Sequence, residues 1–176
     1  MTGLANPRQL QFQVAREVGR ARRTASQFSV LLLDLDDFKI INDEYGHLSG
    51  DRALQEVARV LQQTTRPYDT CIRYGGDEFV VLLPGCGRRE ADERRRELQE
   101  AIAAISLQSE DGRDISLRVS AGASMFPEDG ETYERLLARA DRRMYRNKAE
   151  SKTVPLFPLG RGAEDGVVPL RHSVAG

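Results

Sequence analysis

The stretch from Thr70 to Leu83 reads TCIRYGGDEFVVLL. Thr70 to Tyr74 and Phe79 to Leu83 are short runs rich in apolar and β-forming residues. Between them stand Gly75, Gly76, Asp77 and Glu78. Two such runs around a Gly-containing turn predict a β-hairpin. The order of elements on either side then decides the fold. Upstream, Phe28 to Leu35 (FSVLLLDL) is a mostly apolar run short enough for a buried strand. Phe38, Ile41 and Tyr45 predict a short helix broken at Gly46, and Leu54, Val57, Ala58 and Leu61 a second one over about 50–65. Further upstream, Leu10, Val14, Val18 and Ala21 fall at helical spacing over about 6–24, with Pro7 in a first-turn position. Downstream, a very polar helix is expected over about 88–105, with Ala91, Leu98, Ile102 and Ile105 on its apolar face. Leu117, Val119, Ala121 and Ala123 alternate as a strand does. Tyr133, Leu136, Leu137, Ala140 and Met144 mark a last helix to about 149. A strand, two helices, a hairpin, a helix and another strand make a split βαβ arrangement. That order predicts an α+β fold, a mostly antiparallel sheet flanked by helices.

The chain has 176 residues, enough for one core without metal or disulfide staples. Its 26 basic and 27 acidic residues nearly cancel, which argues against a general binder of nucleic-acid polymers or membranes. The longest apolar run, Phe79 to Leu83, is far below the roughly 20 residues that span a bilayer. No signal-peptide pattern opens the chain, and Cys71 and Cys86 form no metal or redox motif. The expectation is a cytoplasmic protein with reduced thiols. From Pro155 onward periodicity ends, so 155–176 is expected to be a flexible tail after a domain spanning 1–154.

Two carboxylate groups stand at predicted strand ends: Asp34, Asp36 and Asp37 at the end of the first strand, and Asp77 with Glu78 in the hairpin tip. Clustered carboxylates repel one another unless a cation is present. With lysines nearby they suit hard divalent ions holding a substrate's phosphates. The plainer alternative is acids that punctuate strand ends. Among the basic residues only Lys39, Lys148 and Lys152 are lysines. A compact, flexible charge of that kind suits a mobile phosphate chain.

Taken together, these residues carry a family resemblance. Arg73-Tyr74-Gly75-Gly76-Asp77-Glu78-Phe79 resembles the signature of GGDEF domains, the diguanylate cyclases. Asp34-Leu35-Asp36-Asp37-Phe38-Lys39 is similar to the family's D-x-D-x-F-K. Asn42-Asp43, Tyr45-Gly46-His47 and Gly50-Asp51 resemble its N-D-x-x-G-H-x-x-G-D. Thr2 to Asn6, Val119 to Gly122, and Ala140-Asp141 through Tyr145 and Lys148 match further motifs in family order. The resemblance implies a palm-like fold and condensation of two GTP into cyclic di-GMP and two pyrophosphates across a homodimer. It implies two Mg²⁺ per half-site (Mn²⁺ being possible), held by Asp34, the Leu35 carbonyl, Asp77 and Glu78. Asp77 or Glu78 would activate the 3′-hydroxyl, with Lys39 beside the reacting groups. Asn42 and Asp51 would read guanine, and Gly75 and Gly76 would let the backbone approach the nucleotide. Lys148 and Lys152 would contact phosphates. His47 would lie near the substrate, a turn-packing role being the alternative. Arg66 and Asp69 fit the family's R-x-x-D site for inhibition by the product; a turn brace is the alternative. Arg94, Arg95 and Arg96 are expected on a solvated helix face. An upstream sensory or dimerising segment is expected ahead of Met1.

The chain departs from the family pattern in several places, the first being Met1-Thr2 where an acidic residue and a leucine are usual. Pro7 replaces the usual Arg, and Glu150-Ser151-Lys152 stands where Gly-Arg is usual after Lys148. A final strand near 153–157 would contain Pro155. Two other functions remain open from the sequence: a non-catalytic cyclic di-GMP or GTP receptor, and a docking scaffold that binds no nucleotide.

Overall fold

The structure, a computed structural model, describes Leu4 and residues 7–151. Lys152, the expected strand near 153–157, the expected tail 155–176 and most of the opening motif lie outside the described residues.

Among the described residues, four helices and six strands follow in chain order. They are α1 (Pro7–Thr24), β1 (Phe28–Leu35), α2 (Phe38–Thr64), β2 (Thr70–Arg73) and β3 (Glu78–Pro84). Then come α3 (Arg88–Ala103), β4 (Leu107–Gln108), β5 (Asp114–Ile115), β6 (Val119–Phe126) and α4 (Tyr133–Ser151). The main sheet has the order β2-β3-β1-β6, and every adjacent pair is antiparallel. β3 is therefore inserted between β1 and β2, which run in the same direction. This is the split βαβ arrangement that the sequence predicts. No described helix is long and apolar enough to cross a membrane.

The sheet separates two cores. Leu31, Leu33 and Leu35 of β1 and Phe79, Val81 and Leu83 of β3 point to one face, where α2 and α3 cover them. Phe28, Val30 and Leu32, with Val80 and Leu82, point to the other face, against α1 and α4. The period-2 side-chain alternation of a strand sends its apolar run to both cores. That explains why β1 reads as a continuous apolar stretch.

Three details differ from the sequence reading. The two helices expected around Gly46 are one element with a kink, where Gly46 takes φ 80° and ψ 159°. β6 is buried along its whole length, so its alternation separates two cores rather than core from solvent. The small hairpin β4–β5 is absent from the prediction, because two-residue strands are too short to carry a period. Both thiols are free, and burial pushes Cys71 up and Cys86 to about 12, so both are neutral.

Candidate active site at the carboxylate end of the sheet

The central strands bring the two carboxylate groups to one end of the sheet. Register places Asp34 opposite Glu78 on β3 and opposite Ser120 on β6. The Leu35 N–H donates to the Asp77 carbonyl at 3.0 Å, and the Asp36 N–H to the Arg118 carbonyl at 2.9 Å. Asp37 follows in the left-handed region, at φ 56°, and turns the chain into α2. The Asp34-Leu35-Asp36 run is thus locked by backbone bonds to both neighbouring segments.

The side chains form a charged network. Lys148 on α4 donates its Nζ to Asp34 Oδ1 at 2.5 Å. Burial by itself would lower the Lys148 pKa, but its bond to Asp34 and the charges of Asp34, Asp36 and Asp77 hold it above its ordinary value. Glu78 is pushed up by burial and then by the charges of Asp34, Asp77 and Asp141. Asp36 is buried and pushed up for the same first reason, although the Ser120 hydroxyl donates to it at 2.7 Å.

The glycine pair serves two purposes. A Cβ on Gly75 would stand 2.5 Å from Glu78 Oε2, so Gly75 makes room for that carboxylate. A Cβ on Gly76 would meet nothing within 4 Å, so no protein atom explains a glycine there. Arg73 Nη2 donates to the Gly76 carbonyl at 2.6 Å and pins the turn.

α2 carries the remaining residues that the sequence singles out. Lys39, in its first turn, is exposed, as are His47 and Asp51. None of these three side chains has a hydrogen bond or ion pair to another described residue. Asn42 is half-buried against Gly50, where a Cβ would lie 2.0 Å from Asn42 Oδ1. The kink at Gly46 brings the residues after it back onto Asn42.

Arg66 and Asp69 lie elsewhere, in the turn before β2. The Asp69 carboxylate accepts from the Arg66 backbone N–H at 2.8 Å. The Arg66 guanidinium turns away to Glu90 Oε1 at 2.7 Å and lies over the Tyr68 ring. Arg94 is not on a solvated face: it is largely buried and donates to the Thr64 carbonyl at the end of α2. Arg95 reaches Gln99, and only Arg96 of the three is exposed.

Sequence reasoning gave no role to the bonds that seat Lys148. Asn147 Oδ1 accepts from the Ala121 N–H and from Gln99 Nε2, both at 2.9 Å, and ties α4 to β6 and α3. Asn147 falls three residues after Met144 and Gln99 three before Ile102, each a polar residue on an apolar helical stripe. That misplaced polarity is the available signal.

The family profile described as "Diguanylate cyclase, GGDEF domain" matches residues 1–153. The chain belongs to the GGDEF domain family. Diguanylate cyclase DosC of Escherichia coli K12 is 37% identical to this GGDEF domain over 145 residues, 82% of the chain but 31% of DosC. The chain therefore spans about a third of that relative's length. The GGDEF domain of YfiN (TpbB) from Pseudomonas aeruginosa superposes with a TM-score of 0.81 at 31% identity, covering 86% of this chain and 94% of that one. The GGDEF domain of DgcB from Caulobacter crescentus, crystallised in complex with cyclic di-GMP, gives 0.78 at 26% identity over 85% of each chain.

The donor set fits a hard divalent cation. Asp34, Asp77, Glu78 and the Leu35 carbonyl offer only oxygen. Burial first, and then the like charges of Asp34, Asp77 and Asp141, push Glu78 up, and such an ion would offset those charges. Among the described residues no three His, Cys, Asp or Glu side chains are grouped to hold a metal. The Asp34 carboxylate is instead engaged by Lys148.

Proposed function

We propose that this domain condenses two GTP into cyclic di-GMP and two pyrophosphates, each domain of a homodimer presenting one nucleotide. The observation that carries the reading is the cross-strand pair Asp34 and Glu78, with Asp77 beside it and Lys148 on Asp34. Asp34, Asp77, Glu78 and the Leu35 carbonyl would hold two Mg²⁺ per half-site. Bound there, the ions would neutralise charge on the reacting phosphate. On the α2 side, Asp51 would accept from guanine's ring N–H and amino group, and the Asn42 amide would read the guanine edge beside it. Open space at Gly76 leaves room for a nucleotide against the backbone.

In each of two condensations, the 3′-hydroxyl oxygen of one GTP bonds to the α-phosphorus of the other. The bond from that phosphorus to pyrophosphate breaks. The hydroxyl proton passes to Asp77 or Glu78. A carboxylate held beside the 3′-hydroxyl would serve as its general base. Lys148, and Lys152 beyond the described residues, would take the phosphates, with Lys39 and His47 near the substrate. We further propose that Arg66 and Asp69 bind the product and slow turnover, that an upstream segment brings two domains together, and that the domain works in the cytoplasm.

The test is product chromatography after incubation with GTP and Mg²⁺, using the chain fused to a leucine zipper. Cyclic di-GMP is expected, and Asp34→Asn is expected to abolish it while the far-ultraviolet spectrum is unchanged. Equal product from Asp34→Asn would overturn the assignment. GTP binding without product in the unmutated fusion would favour a receptor.

A further inference from the structure

Helix α4 carries arginines on one outward stripe. Arg135, Arg139, Arg142 and Arg146 are spaced four, three and four residues apart, and all four are exposed. Residues at such spacing lie above one another on a helix, and like charges there destabilise it. Helix α3, with as many arginines, offsets part of this cost with acids of its own. On α3, Arg89 pairs with Glu93, Arg94 with Glu97 and Arg95 with Asp92. On α4, Arg139 comes within 3.5 Å of Asp129, while the guanidinium groups of Arg135 and Arg142 meet no partner among the described residues.

A cleft accompanies the stripe. It has a volume of about 260 Å³ and is lined by Glu128, Asp129, Arg135, Ala138, Arg139 and Arg142. Its two carboxylates are already engaged. Asp129 is buried and takes two hydrogen bonds from Arg143, at 2.6 and 2.9 Å. Glu128 pairs with Arg88 at 2.7 Å. Arg135 and Arg142 therefore present positive charge to solvent, with Arg139 between them 3.5 Å from Asp129.

We propose that the stripe and its cleft dock an acidic helix of a partner protein, with carboxylates at matching four- and three-residue spacing. Guanidinium forks bind carboxylates in parallel pairs, which favours such a partner over a diffuse anion. The stripe is about 16 Å long at 1.5 Å per residue, the length of three helical turns. The exposed acids Glu134 and Asp141 lie on the same helix, roughly 120° round from the stripe, so a polyanion that wraps the helix meets like charge, whereas a helix lying along the stripe does not. The only apolar side chain lining the cleft is Ala138, which offers nothing to anchor in lipid.

The test uses the full chain and a fluorescent 20-residue helical peptide with glutamates at i, i+4, i+7 and i+11. A peptide of the same composition in shuffled order serves as comparison. Anisotropy at about 0.15 M salt, where diffuse charge is screened, should show the patterned peptide binding more tightly. Arg135→Glu with Arg142→Glu should weaken it at least about tenfold. Arg23→Glu with Arg96→Glu makes the same change of net charge at other exposed sites and should leave binding intact. Should the charge reversal disturb the circular dichroism spectrum, Arg135→Gln with Arg142→Gln must show the same loss. Equal binding of the two peptides, or equal loss in the control pair, overturns the proposal. So does tighter binding of a same-charge single-stranded DNA or of phosphatidylserine vesicles.

Discussion

Gly50→Ala separates the stability of α2 from the placement of its proposed guanine reader. A Cβ at position 50 would fall 2.0 Å from Asn42 Oδ1, 2.9 Å from Asn42 Cγ and 3.2 Å from Phe38 Cε2. The first two atoms belong to the end of a side chain that can rotate away, so the clash is relieved by moving Asn42. Replacing a helical glycine by alanine gains about 1 kcal/mol. An off-rotamer Asn42 costs of order 0.5–1.5 kcal/mol. Folding stability should therefore stay within about 1 kcal/mol of the parent chain. Binding of GTP should not. Loss of the Asn42 hydrogen bonds costs about 1–3 kcal/mol, a roughly 5- to 150-fold weaker Kd. Calorimetric titration with a non-hydrolysable GTP analogue and Mg²⁺, alongside urea unfolding, measures both quantities. In an Asn42→Ala background the same glycine change should add almost nothing, because the two residues act as one unit. An affinity within about twofold of the parent, in a folded Gly50→Ala protein, would refute the role of Asn42.

Gly122→Ala should act in the opposite sense, because its Cβ would meet the Ala140 carbonyl at 2.1 Å and the Met144 nitrogen at 2.3 Å. Both are backbone atoms that no rotamer change can move, so a loss of about 3 kcal/mol or more is expected in chemical denaturation. The Asp129 carboxyl lies below its ordinary 3.8: burial alone would raise it, but the Arg143 and Met125 hydrogen bonds and the Arg143 and Arg88 charges outweigh that. The unfolded chain thus binds this proton more tightly, so the stabilisation is complete above pH 3.8 and is lost as pH falls through the lower folded value. Asp129→Asn should cost about 2–3 kcal/mol at neutral pH and flatten the acid limb of a stability-versus-pH curve. Arg66→Ala in a zipper fusion should sustain turnover where the parent fusion stalls on its product; equal sensitivity to added cyclic di-GMP in the two progress curves would leave Asp69 as a turn brace alone.

Local pattern determined much of this protein. The apolar run of β1, the hairpin around Gly75 and Gly76, and the helical stripes of α1 and α4 each follow from interactions within a few residues, and their order left one economical sheet. The motif residues placed carboxylates at strand ends for the same reason: charge stays where solvent or a ligand can reach it. Contacts between distant segments were decided by the tertiary structure. The approach of β6 to α4 at Gly122, the pairing of Asn42 with Gly50 across a kink, and the tie from Gln99 through Asn147 to Ala121 depend on how elements meet. The partners at Gly122 and at Asn147 lie about 20 residues or more apart in the chain, and Asn42 meets Gly50, in its own motif, only because the kink at Gly46 folds the element back. Arg66 shows the same limit. The sequence set it beside Asp69, but packing of α3 against the turn brought Glu90 within 2.7 Å of its guanidinium. A side chain with five donors goes to whichever acceptor the fold brings closest, and that is a property of the packed molecule.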